Sequence, residues 1–166
     1  QPLSVQFATY ITKILQFDLG YSLRYREPVL SLILGRMPAT LLLMGTALVF
    51  SSLVGILLGV FAARRPYTAG DYAATFISIA GYSMPVFWLG LLLQLVFFAG
   101  LGWLPLNGRL PPAVDPPPTT TGFYVIDALL VGDLGLAGLA LQHLILPTIA
   151  LTVWNLPLMA RLTRAM

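Results

Sequence analysis

Two stretches of this chain, Pro38 to Ala63 and Tyr72 to Gly100, contain no charged residue at all. Each exceeds the roughly 20 residues a helix needs to cross a hydrocarbon core about 30 Å thick. A third stretch, Leu144 to Ala160, is shorter and is bounded by His143 and Arg161. Backbone N–H and C=O groups in lipid have no water to bond to, so runs of this kind are expected to be helices that pair their own backbone. Pro38 suits the first turn of its helix, where the missing N–H costs nothing. The rest of the composition agrees. Of the 166 residues 58% are hydrophobic and 9% charged, against roughly 25% charged in a soluble domain, so the chain lacks the charge to coat a water-facing surface. Disorder needs the opposite balance. With no cysteine and one histidine, disulfide scaffolds, thiolate sites and two-histidine metal sites are excluded. The net charge of +3 comes from nine dispersed Lys and Arg, too scattered for a nucleic-acid surface. The expected class is an all-α, polytopic membrane helix bundle. The opening at Gln1, without Met or leader, and the stop at Met166 just after Arg161-Leu-Thr-Arg164 read as a piece of a longer protein.

Three spans place the loop at 64–71 on the same side as the C-terminal end. That side holds Arg64, Arg65, Arg161 and Arg164, close to the spans; the other holds Lys13, Arg24, Arg26, Arg36 and Arg109, spread thinly. Density favours the Arg64 side as cytoplasmic. Residues 1–37 then form a non-cytoplasmic segment. In 4–16, Phe7, Tyr10, Ile11, Ile14 and Leu15 recur at helical spacing opposite Gln6, Thr9, Thr12 and Lys13, which predicts an amphipathic surface helix ended by Asp18-Leu-Gly20. A short second helix is expected from Pro28. The remaining stretch, 101–142, is broken by Pro105, Pro111, Pro112 and Pro116-Pro-Pro118, with an apolar docking segment from Phe123 to Leu130. A loop of that length is expected to be functional or disordered.

Within the first span Ala47, Ser51, Gly55, Gly59 and Ala63 recur every fourth residue. Such a face lets another backbone approach closely, either within one polypeptide or as a seam against a second subunit. The second span contains Gly81-Tyr-Ser-Met-Pro85. Pro85 removes a hydrogen bond to the Gly81 carbonyl and crowds it, so a kink or break is expected there, with Tyr82 and Ser83 able to serve the freed groups. Broken helices mark transport sites, and they also arise as static kinks. Gln94 and Asn155 either bond between helices or line a polar pathway. No Asp, Glu, Lys or Arg lies within a span, which leaves an ion-coupled carrier no titratable group. Lys13, the single lysine, stands in no Gly-rich loop, so the chain binds no ATP of its own. His143 and Asp133 have no nucleophile elbow to serve; His143 reads as a polar residue at a span boundary.

In order along the chain come Asp18-Leu-Gly20 with Ser22, Pro28-Val29, Arg36-Met-Pro-Ala-Thr-Leu41, Gly55-Ile-Leu-Leu-Gly-Val60 and Gly81-Tyr-Ser-Met-Pro-Val-Phe-Trp88. Leu104-Pro105, Gly108-Arg109, Thr121-Gly-Phe-Tyr-Val-Ile-Asp127, His143-Leu-Ile-Leu-Pro147 and Ala160-Arg-Leu-Thr-Arg164 follow. By their order and spacing the sequence resembles the inner-membrane permease subunits of dipeptide/oligopeptide-type ABC importers. The resemblance implies a six-span fold of the type I importer class, of which this chain looks like spans two to four, with three spans at about 38–63, 72–100 and 144–160 and a periplasmic loop at about 101–142. It implies a non-enzymatic subunit with no cofactor of its own. Its implied partners are a second permease subunit, cytoplasmic ATP-binding subunits that hydrolyse ATP and a periplasmic solute-binding protein, all at the bacterial inner membrane. It also implies a pathway-lining role for Gly81, Tyr82, Ser83, Met84 and Pro85, and a loop around Arg109 that faces the binding protein. A first span would precede Gln1, and the loop that docks on the ATPase would follow Met166. The competing class is an ion-coupled or passive transporter.

Overall fold

The computed structural model describes residues 2–64 and 67–165. Arg65, which the orientation argument counts among the basic residues between the first two spans, lies outside the described residues. The chain divides into two compact units, Gln1–Thr40 and Leu41–Met166.

In the first unit, helix α1 (Leu3–Leu15) has no buried residue, and Phe7, Tyr10 and Leu15 are exposed. The chain leaves it through a turn that Asp18 and Gly20 make. The Asp18 carboxylate accepts the Gly20 N–H at 3.1 Å, and Gly20 takes φ 77°, which a side chain resists. A two-residue hairpin then pairs β1 (Tyr21–Ser22) with β2 (Glu27–Pro28), Tyr21 opposite Pro28. At its tip the guanidiniums of Arg24 and Arg36 lie 5.7 and 4.8 Å from the centre of the Tyr25 ring. Nothing in the apolar periodicity announced this hairpin.

Helix α2 runs without interruption from Val29 to Arg64. The short helix expected from Pro28 and the first apolar run are therefore one element, and Pro38 sits well inside it, not in its first turn. Leu30, Leu32, Leu34, Arg36 and Met37 favour helix ahead of Pro38, which costs the bond to the Leu34 carbonyl and crowds it. At 36 residues, and about 1.5 Å per residue, α2 is roughly 54 Å long.

The second unit is built on helix α6 (Leu134–Ala165), against which α3 (Ala69–Ser83), α4 (Val86–Gln94) and α5 (Tyr124–Val131) all pack. Its buried apolar residues are mostly alanine (Ala47, Ala62, Ala128, Ala137, Ala140, Ala150), while Phe50, Leu57, Phe61, Phe76, Leu91 and Leu95 are exposed. Small residues inside and large apolar ones outside is the arrangement of helices that meet in lipid, where close backbone approach replaces hydrophobic burial as the source of packing energy.

Two of the expected spans change shape. Among the described residues only α2 and α6 are continuous helices long and apolar enough to cross a bilayer. The stretch 72–100 is instead α3, an extended Met84–Pro85, α4 and a π-helical stretch, Leu95–Gly100. The third apolar run is the inner part of a helix that begins ten residues earlier, inside the expected loop. Gly132 ends α5 in the left-handed conformation (φ 80°), and the Asp133 carboxylate accepts the Leu136 N–H at 2.9 Å to start α6. Asp133 is thereby a helix cap, which removes it from any pairing with His143.

Candidate functional site

The small-residue face of α2 lies against α6 of the same chain. A Cβ on Gly55 would sit 2.4 Å from the Met159 Cβ, and one on Gly59 would sit 2.6 Å from the Thr163 Cβ and 2.9 Å from the Ala160 carbonyl oxygen. Ala47 and Ser51 are buried in the same face, and Thr46 and Thr148 hydroxyls meet across it at 3.3 Å. Of the two readings of the stripe, the geometry supports packing within the polypeptide. At its end the buried residue is Ala62, and Ala63 is exposed. Steps of four residues overshoot a helical turn by about 40° each, so a straight row of fours drifts off the contact and a step of three brings it back.

The break in the second stretch is complete. Met84 (φ −89°, ψ 129°) and Pro85 (φ −58°, ψ 131°) are extended, α3 stops at Ser83, and the Pro85 carbonyl starts α4 by accepting the Trp88 and Leu89 N–H groups. The Ser83 hydroxyl bonds the Ile79 carbonyl of its own helix at 2.8 Å. Gly81 is buried against α6, where a Cβ would meet the Val153 side chain at 2.9 Å and the Val153 carbonyl oxygen at 3.2 Å. That carbonyl is the one whose i+4 donor is missing because residue 157 is proline. The carbonyls left without an i+4 donor by Pro85 and by Pro157, those of Gly81 and Val153, thus lie at one level. Tyr82, Ser83, Met84 and Pro85 are exposed on the chain's surface. Asn155 bonds the Leu151 carbonyl of its own helix at 3.1 Å and joins none of them.

Just beyond the break a cleft of about 390 Å³ opens between α4, α6 and residues 105–108. Its polar groups are Gln94, Asn107 and His143; Val86, Phe87 and Leu146 supply apolar wall. The Gln94 amide nitrogen donates to the Leu106 carbonyl at 2.8 Å, which holds the loop over the cleft. His143 Nδ1 lies 2.9 Å from the Leu139 carbonyl. A carbonyl only accepts, so Nδ1 is the donor in this contact. The structure therefore brings Gln94 to His143 and the edge of the break, and leaves Asn155 and the small-residue face elsewhere.

Arg109 does not stand free in the loop. Its guanidinium lies 3.5 Å from the centre of the Tyr124 ring and donates to the Gly122 carbonyl at 2.8 Å. Beside it Asp127, fully buried, accepts from the Thr121 N–H (2.7 Å), the Thr121 hydroxyl (2.6 Å) and the Gly122 N–H (2.9 Å). Burial pushes its carboxyl upward. Hydrogen bonds from the Thr121 hydroxyl and the backbone of Thr121, Gly122 and Thr120 outweigh that and hold it below the usual carboxylate range. At the far end of α6, Arg164 pairs with the buried Asp71 of α3 at 2.8 Å, and Asp71 also accepts the Tyr67 N–H at 3.0 Å. From sequence both carboxylates are expected only as acids outside the spans, with no partner assigned. Thr68-Ala-Gly-Asp71 carries a helix-start spacing that marks Asp71, but its Arg partner is too distant in sequence to foresee. Among the described residues no cluster of His, Asp or Glu could hold a metal.

The sequence profile of binding-protein-dependent transport system inner membrane components matches residues 55–166. The chain is 42% identical over 165 residues to a di/tripeptide transport system permease protein, DppB, of Pseudomonas aeruginosa, covering 99% of this chain and 49% of that protein. It is 42% identical over 165 residues to the probable D,D-dipeptide transport system permease protein DdpB of Escherichia coli (99% and 48%). It is 34% identical over 165 residues to the oligopeptide transport system permease protein AppB of Bacillus subtilis (99% and 46%). The chain spans about half the length of the curated relatives it matches.

Proposed function

We propose a function from what this chain is: it belongs to the family of binding-protein-dependent transport system inner membrane components. The protein containing it is a translocation subunit of an ATP-driven importer of dipeptides or longer peptides in the bacterial inner membrane. It works with a second permease subunit, separate ATP-hydrolysing subunits and a solute-binding protein, and catalyses no reaction itself. One observation carries this reading: 34 to 42% identity to named peptide permeases over 165 residues.

The geometry supplies parts that suit the task. The cleft with Gln94, Asn107 and His143 is a polar place at one end of an apolar bundle, and it adjoins a helix that changes direction without a continuous backbone ladder. On the orientation that the basic residues favour, the cleft faces the binding protein, while Asp71 and Arg164 lie at the cytoplasmic end. Closure of the partner ATPases would then tilt the α3 and α6 ends together and alternate access at the break.

The test is reconstitution of the full-length permease. Alone in vesicles it is expected neither to hydrolyse ATP nor to accumulate dipeptide. With the ATPases and binding protein added, uptake is expected to follow ATP and to survive a protonophore. Uptake by the permease alone that tracks a proton or sodium gradient would replace the reading with an ion-coupled carrier. Orientation is checked separately. Single cysteines at Thr68 and Thr120 of the full-length protein, in cells with an intact inner membrane, are expected to label oppositely with an impermeant thiol reagent, Thr120 from outside. The reverse pattern inverts the topology.

A further inference from the structure

A second cleft, of about 380 Å³, lies between α2, α3 and α6 at the end away from Gln94. Its walls include Leu58, Ile79 and Pro157, and Arg161 and Arg164 line it as well. The two arginines are not equivalent. Arg164 has its charge matched by the Asp71 carboxylate at 2.8 Å. Arg161 uses Nε on the Pro157 carbonyl at 3.3 Å, and among the described residues its terminal nitrogens have no partner. The fixed Nε leaves a planar pair of cationic donors, without an acidic partner among the described residues, at the rim of a largely apolar groove that Thr75 and Tyr82 also line.

We infer that this cleft binds an anionic phospholipid, with Arg161 on the headgroup phosphate and Leu58, Ile79 and Pro157 against the acyl chain. Charge complementarity selects an anion, and the apolar walls select one joined to a hydrocarbon chain. A soluble anion would gain only the first of these contacts, whereas a lipid gains both. Arg161 stands at the boundary of the third apolar run, the depth at which headgroups lie, and basic clefts between helices on the cytoplasmic side suit anionic lipid. The inference rests on the membrane location and orientation proposed above, not on the transported solute.

The test uses the full-length permease purified with its partner subunits and exposed to mixed micelles holding equal amounts of phosphatidylglycerol and phosphatidylcholine with the same acyl chains. Native mass spectrometry reads which lipid stays bound. Phosphatidylglycerol is expected to be retained several-fold over phosphatidylcholine. Arg161→Gln is expected to bring that ratio close to one. Leu58→Trp, which fills the groove and leaves the charges alone, is expected to lower phosphatidylglycerol retention and decides the matter should the Gln variant fail to assemble. Millimolar glycerol phosphate is expected not to displace the lipid. A ratio near one in the unmodified protein, retention unchanged in the variants, or displacement by glycerol phosphate would each overturn the inference. Because no step reads transport, failure here leaves the import reading standing, and failure of import leaves the lipid ratio standing.

Discussion

Gly59→Ala is expected to reduce recovery of the assembled full-length permease sharply, although it adds a single methyl group. The new Cβ would lie 2.9 Å from the Ala160 carbonyl oxygen, a backbone atom that cannot swing aside, and 2.6 Å from the Thr163 Cβ. Relief requires α2 and α6 to separate along the whole small-residue face, and overpacking of this kind typically costs about 1–3 kcal/mol. Gly55→Ala meets the Met159 Cβ at 2.4 Å and is expected to act alike. Gly45→Ala on the same helix has nothing within 4 Å and is expected to be neutral or mildly stabilising through better helix propensity. Leu57→Ile, on an exposed side chain, is expected to be mild. Thermal aggregation in detergent and yield of the complex measure all four. Equal behaviour of Gly59→Ala and Gly45→Ala would show that the α2–α6 contact is not what holds the unit together.

Asp127→Asn is expected to release the segment around Thr121 and Gly122, because the amide replaces one acceptor oxygen with an NH₂ group that confronts the donors already aimed at it. Limited proteolysis of the full-length protein is expected to cut within residues 116–123 in the variant and to spare them in the unmodified chain. Thr121→Ala removes one donor of the three contacts on Asp127 and is expected to be milder, and an uncut Asp127→Asn would contradict the assignment. The pH dependence has a definite sign. The folded-state carboxyl titrates below its unfolded value, so its stabilisation is complete above the ordinary carboxylate range. It is lost only as pH falls through that range to the lower folded value. Loop protection is therefore expected to be flat near neutrality and to fall in acid.

What could be read from the residues alone was local. Pro85 four residues after Gly81 dictates a lost hydrogen bond wherever the helix sits, and the break is there. Small residues four apart define a face in any helix, but whether that face ends at Ala62 or Ala63 depends on how α2 turns against α6, which spacing by fours does not contain. Pro38 misled because proline's preference for a first turn is weaker than the helix-forming residues that precede it. The start of α6 was hidden because His143 interrupts the apolar run while Asp133, ten residues back, supplies the cap. The resemblance sets the loop around Arg109 toward the binding protein, whereas the stacking of Arg109 on Tyr124 comes from tertiary structure that no spacing contains. The Asp71–Arg164 pair joins residues too far apart in sequence for any periodicity to connect.

The proline break that follows α3 and the Pro157 interruption of α6 lie at one level of the second unit. At the level of Gly81 and Val153 each segment has a carbonyl whose i+4 position is proline, so bending there strains fewer backbone bonds than in an uninterrupted stretch of helix. Each side of that level has its own tie. On one side Asp71 and Arg164 bind the first turn of α3 to the last turn of α6; on the other, Gln94 fastens α4 to the loop carrying Leu106. On the import reading proposed above, a push at the Arg164 end would be expressed as rotation about Met84 and Pro85, where α3 and α4 share no helical backbone ladder.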